Sequence, residues 1–173
     1  MFRLAQNLMR RSRTLLCMEI DMNVAIPFVE CSVEELKALL DGGTLTVYSV
    51  ARPITADRAV DRSGALATFT FASPAFGASS EGLETPNFTV NPVVAVHVGT
   101  PGFARAAKAD GTVVGDFSAG PGDREIKFSE VSCTQGAPVT LTKFKFMPEG
   151  GWPEKPEYYD TRPRSGFPMP KNP

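Results

Sequence analysis

Histidine occurs once in this 173-residue chain, tryptophan once and cysteine three times. Cys17, Cys31 and Cys133 lie far apart with no CxxC pair and no histidine beside them, so no zinc site is legible. An odd count without a secretory leader points to reduced, buried thiols. His97 lies in the apolar run 93–98, on the same strand face as Val93 and Ala95. A nucleophilic triad needs its histidine in a cleft with a nucleophile and an orienting acid, and the local sequence supplies neither. The expected role for His97 is a half-buried strand residue.

Charge of one sign is also missing: 18 basic residues face 19 acidic ones, for a net charge of −1. Without a basic field over the body, nucleic acid is not an expected partner. No apolar run reaches the roughly 20 residues of a membrane-spanning helix, and no membrane partner is expected. Arg3, Arg10, Arg11 and Arg13 precede a short apolar stretch, but Glu19 and Asp21 cut it below the ~7–15 residues of a signal-peptide core. There is no GxxxxGK[ST] phosphate loop. Asp110, Asp116, Asp123 and Glu125 could gather at strand ends around calcium, but their spacing fits no known loop, and Asp110 and Asp123 read as turn residues. Asn87-Phe88-Thr89 matches a glycosylation acceptor that lacks a secretory context. Lys143 to Phe146 alternates charge and aromatic, as a strand with one wet and one buried face does. The chain is expected to be non-enzymatic, with no catalytic residue, no cofactor and no metal.

What the sequence does contain is punctuation: 15 glycines and 15 prolines. Four parts follow from it. Residues 1–21 form a basic N-terminal extension, a candidate for disorder. It reads either as an upstream extension of a protein starting at Met22 or as an arm that orders on a partner. Residues 22–43 are a lead-in and one short helix. Ser32 and Glu35 make a capping box, Val33, Leu36, Leu39 and Leu40 recur at helical spacing, and Gly42-Gly43 supplies a left-handed stop.

Residues 44–147 read as short strands at 44–50, 65–71, 83–90, 93–98, 103–108, 112–118, 124–128 and 139–146, parted by turn signals. Asp110-Gly111 between two apolar runs predicts a tight hairpin. Val139 and Leu141 fall on odd positions, Phe144 and Phe146 on even ones, so a bulge or bend is expected between them. No helices separate the strands, which excludes βαβ units. The fold class is all-β: an antiparallel, jelly-roll-like β-sandwich with one short N-terminal helix and an extended Pro-rich C-terminal tail.

Residues 148–173 are that tail, with seven of the 15 prolines. Trp152, Tyr158, Tyr159 and Phe167 stand along it, with Arg162 and Arg164 as polar partners. Aromatic anchors on a proline-stiffened strand fit pockets of a neighbouring surface; without a partner the same segment is a solvated linker. These six residues are the candidate partner-binding set.

A wider pattern runs through the body: Leu45-Thr-Val-Tyr48-Ser, Arg52-Pro53-Ile-Thr-Ala-Asp57, and Leu66-Ala-Thr-Phe-Thr-Phe-Ala-Ser-Pro74-Ala-Phe76-Gly77. Gly99-Thr-Pro-Gly-Phe-Ala-Arg105, Asp110-Gly-Thr-Val-Val114 and Gly136-Ala-Pro-Val-Thr-Leu-Thr142 follow in order, after a helix ending in Asp41-Gly42-Gly43. Over residues 33–147 this resembles small virion-associated structural proteins of tailed bacteriophages and prophages. The departure is Phe103-Ala104, where an aromatic pair often precedes the arginine matched by Arg105. The resemblance implies a head decoration or cement-like protein, made in the host cytoplasm and located in the virion. Its implied partners are phage capsid or other virion proteins, with a homo-oligomer as the expected state. The alternatives are a carbohydrate- or receptor-binding sandwich module, which calls for exposed aromatics on the body, or a tail or neck component.

Overall fold

The computed structural model describes residues 23–60, 64–80 and 83–146. The candidate set from Trp152 to Phe167, the tail and the basic extension lie outside these. The chain builds β1 (Asn23–Val24), a 3-10 turn (Ile26–Phe28), α1 (Val33–Leu39), β2 (Thr44–Tyr48), β3 (Ala65–Phe76), β4 (Pro86–Phe88) and β5 (Val93–Val94). There follow β6 (Phe103–Ala107), β7 (Val113–Ser118), β8 (Ile126–Phe128), β9 (Pro138–Val139) and β10 (Leu141–Phe144). The fold is all-β, antiparallel and sandwich-like, with one helix.

Six strands form the main sheet in the order β1-β7-β6-β2-β3-β4, while β8 with β10 and β5 with β9 form two ribbons. Alternation sorts the side chains. Leu45 and Val47 pair across with Ala67 and Phe69 on one side and with Ala104 and Ala106 on the other, so all six share a face. That face is buried against the β8–β10 ribbon: Phe117 meets Phe144 at 4.9 Å between ring centres and Phe69 meets Phe128 at 6.2 Å. Leu66 and Ala67 are both buried although adjacent, because a register shift between Val47 and Tyr48 turns the strand there. Two single contacts join the layers at their sides. Glu84 N donates to Phe144 O at 2.9 Å, and Gly120 N donates to Ile126 O at 3.3 Å beside the parallel Ala119–Ile126 bridge.

The helix forms where its signals place it. Ser32 Oγ accepts from Glu35 N, and the Glu35 carboxylate accepts from Ser32 N at 2.7 Å. Gly42 at φ +66° ends it, and Leu36 and Leu40 enter the core. The hairpin at Asp110-Gly111 has a three-residue loop. Lys108 N donates to Thr112 O, Gly111 N donates to Lys108 O, and Gly111 adopts φ +85°. In the last strand the register shifts between Leu141 and Lys143, which lets Leu141 and Phe144 both point inward. The strand expected at 83–90 contracts to Pro86–Phe88, with Glu84 bridging separately to Phe144.

On the opposite face of the main sheet the threonines of β3 are exposed, while the stretch over β6 and β7 is polar and still buried. Phe103 stacks on Tyr48, and beside them Arg105 makes a fork on Asp116, Nε to Oδ1 at 2.7 Å and Nη2 to Oδ2 at 2.8 Å. The segment between β2 and β3 roofs this pair, since Arg105 Nη1 donates to Arg58 O at 2.8 Å. Asn23 holds the roof to β1 by donating to Pro53 O and accepting from Ala56 N, and Asp57 accepts from Ile26 N. Burial pushes the Asp116 carboxyl above 3.8 against the pull of the guanidinium, while the bond to Asp116 holds Arg105 more firmly charged. Two short bonds from a permanently charged guanidinium keep the carboxylate ionised at neutral pH.

Candidate interaction surface

The residues that could carry chemistry are dispersed. His97 is exposed, in a bend after β5, where the sequence suggested a half-buried strand position. Its Nδ1 lies 2.8 Å from Ala65 O, and its ring sits on the backbone at Gly64. The chain turns after Val94, which swings the ring out over the start of β3. The four acids do not gather. Asp116 is committed to Arg105, Glu125 is buried against Ser118, and Asp110 and Asp123 sit in exposed turns on Lys108 and Lys145. Bonds from Thr112 hold the Asp110 carboxyl below its usual range, and Lys145 does so for Asp123. Among the described residues no three His, Cys, Asp or Glu side chains are grouped to hold a metal. Cys31 and Cys133 carry free thiols, and burial pushes that of Cys133 up.

The surface feature that stands out is a row of valines. Val94, Val96 and Val98 are 63%, 51% and 72% exposed, whereas Ala95 between them is 1% exposed. The backbone fixes this alternation. Ala95 N donates to Ala137 O on one side and Val96 N donates to Leu66 O on the other, as successive amides of an extended chain do. Val93 pairs with Val139, and Gly99 exchanges two hydrogen bonds with Cys133 at the far end. Val94 and Val96 therefore flank the buried Ala95, and Val98 stays exposed beyond the bend at His97, on a segment tied at both ends. Val90 and Val131 are also more than half exposed. A surface tolerates single apolar side chains without a function, and several of them held close together make a candidate contact surface.

The aromatic rings behave differently. Among the described residues the large apolar side chains left exposed are isoleucine, leucine and valine, while the phenylalanines are buried or half-buried. The aromatic platform that a sugar-binding module calls for is not formed by these residues.

A comparison with protein-family models, with curated proteins and with solved structures found no match. The functional reading accordingly rests on geometry and on the sequence pattern. Periodicity did not single out the valine row, because an apolar run looks alike whether it faces a core or a partner. The usable signal was the small Ala95 among larger neighbours, which leaves room inward only on its own side.

Proposed function

We propose that this protein is a non-enzymatic structural component of a tailed-phage virion that binds the outside of the capsid and stabilises it by bridging neighbouring subunits. The observation that carries the reading is the fixed valine row, which offers apolar area to a partner at small ordering cost because its backbone is already held. The body resembles virion-associated structural proteins over residues 33–147. The aromatic tail residues Trp152, Tyr158, Tyr159 and Phe167, with Arg162 and Arg164, are the second proposed contact. A homo-oligomer would present several copies of both contacts at once and multiply weak binding.

The test is saturation binding of purified protein to capsids of its own phage, comparing the full chain, a truncation after Met147, and Val96→Asp. Val96 is half exposed, so the substitution is expected to leave folding within about 0.5 kcal/mol. The full chain should saturate the shell, and each variant should bind more weakly. Equal binding by Val96→Asp removes the valine row from the interface, and equal binding by the truncation removes the tail. Failure of all three forms to bind overturns the capsid assignment.

A further inference from the structure

The β8–β10 ribbon sets lysines against one another on its outer face. Ile126 and Phe144 pair inward and are fully buried, so the next pair along, Lys127 and Lys143, stands directly opposite on the outer side. Like charges in that position repel. Lys145, two positions beyond Lys143, bonds Asp123 at 2.7 Å. All three lysines hold the Asp123 carboxyl below its usual range, Lys145 most strongly, which places them around one acid. Among the described residues Lys127 and Lys143 form no ion pair, and neither does Glu130, three residues past Lys127. Around Asp123 three lysines therefore share a single carboxylate.

The described chain leaves this ribbon at Phe146, and the charge beyond it is divided. Residues 149–160 hold Glu149, Glu154, Glu157 and Asp160 against Lys155 alone, whereas residues 161–173 hold Arg162, Arg164 and Lys171 and no acid. The acidic stretch starts four residues past Lys145, and Gly150-Gly151 permits the chain to reverse. Lys143 stands three residues before Phe146, at most about 11 Å back along the strand, so eight residues carry Glu154 to it with length to spare. Pro153 and Pro156 favour a polyproline II conformation, which has three residues per turn. Glu154, Glu157 and Asp160 would then share one side, spaced about 9 Å apart.

We propose that the acidic stretch 149–160 folds back within its own chain and docks on Lys127 and Lys143. This does not depend on the capsid reading, since charge and not the aromatic set carries it. Trp152, the chain's single tryptophan, lies between Glu149 and Glu154 and reports on the docking. Quenching of its fluorescence by acrylamide, a neutral quencher, is measured on the full-length protein in dilute buffer and at about 1 M NaCl, where the Debye length falls to about 3 Å. Quenching in dilute buffer should be weaker by about twofold or more, as several tethered surface ion pairs acting together allow. Lys127→Glu with Lys143→Glu should abolish the difference, and adding Glu154→Lys with Glu157→Lys should restore it. Glu154→Gln with Glu157→Gln, which leaves the body untouched, should also abolish it. Salt-independent quenching in the parent overturns the proposal. So does a salt effect kept in either paired variant, as would follow if the basic residues 3–13 held the tail. Protection that fades on dilution overturns it equally, because the occupant would then be the tail of another copy.

Discussion

The Arg105–Asp116 pair can be tested by removing one charge and then both. Asp116 is fully buried and Arg105 is 9% exposed, with two bonds of 2.7 and 2.8 Å between them. Asp116→Asn keeps the shape but turns an amide NH2 toward a guanidinium that cannot lose its charge. Breaking a buried pair from one side destabilises by about 3–5 kcal/mol, because an uncompensated charge is left inside. For a chain of this size each kcal/mol lowers Tm by roughly 2–4 °C, so the fall should be about 6–20 °C. Replacing both partners by apolar residues, Arg105→Met with Asp116→Leu, should recover most of the loss. The Arg58 carbonyl then loses its donor, which keeps about 1–3 kcal/mol unrecovered. Urea denaturation at neutral pH measures both variants, with the slope checked for constancy. An Asn variant as stable as the parent, or more so, would mean that burial of Asp116 outweighs its pairing, and the reasoning would fail. A double variant no better than the single one would refute it equally.

Three further outcomes are expected. Phe144 is fully buried among Phe76, Phe117 and Phe146, so Phe144→Ala should lower unfolding free energy by about 3–5 kcal/mol in the same assay. Ser32→Ala removes the hydroxyl that accepts from Glu35 N, keeps the backbone N–H that donates to the Glu35 carboxylate, and should lower it by about 1 kcal/mol, visible as a shift in urea midpoint at unchanged slope. Lys145 holds the Asp123 carboxyl below 3.8, so its contribution is present above that pH and is lost as pH falls through the lowered value. Asp123→Asn should therefore flatten the acid side of the stability–pH curve and leave its shape near neutrality unchanged.

Much of the local structure was legible because its causes are local. The capping box needs only Ser32 and Glu35, the hairpin only Asp110-Gly111, and the bend in the last strand only the switch from odd to even apolar positions. Pairing order is another matter. Alternation tells which residues share a face, not which strand lies beside which, so the placement of β2 between β3 and β6 could not be read from it. The Arg105–Asp116 pair was hidden for the same reason: it joins neighbouring strands on the face that alternation assigns to solvent, and only the roof segment buries it. The burial of Glu125 was not legible because Ser118, which compensates it, is seven residues away across a turn. The exposure of Val94, Val96 and Val98 was not legible in the apolar run 93–98, since hydrophobic pattern reports apolarity and not what covers it.

The two proposed contacts are linked by the way the chain leaves the body. Phe146 packs on Phe76, Phe117 and Phe144, and Lys37 lies 5.8 Å over its ring. Lys37 is itself held by Glu34 at 2.9 Å and Glu84 at 2.7 Å, so the last described residues are anchored from the helix, the main sheet and the ribbon. The row begins beside Val93, which pairs with Val139, seven residues before Phe146. An extended chain advances at most about 3.6 Å per residue, which places the row's start within roughly 25 Å of the tail's anchor. Trp152, the tail's first aromatic residue, stands six positions beyond Phe146 in the sequence, so a short stretch of one chain joins the two proposed contacts. Contacts joined in this way gain from effective concentration: once one is made, the other forms at a local concentration fixed by the tether. In the proposed reading each contact can then be weak alone while their combination is tight, and the rigid anchor at Phe146 is what makes the tether short.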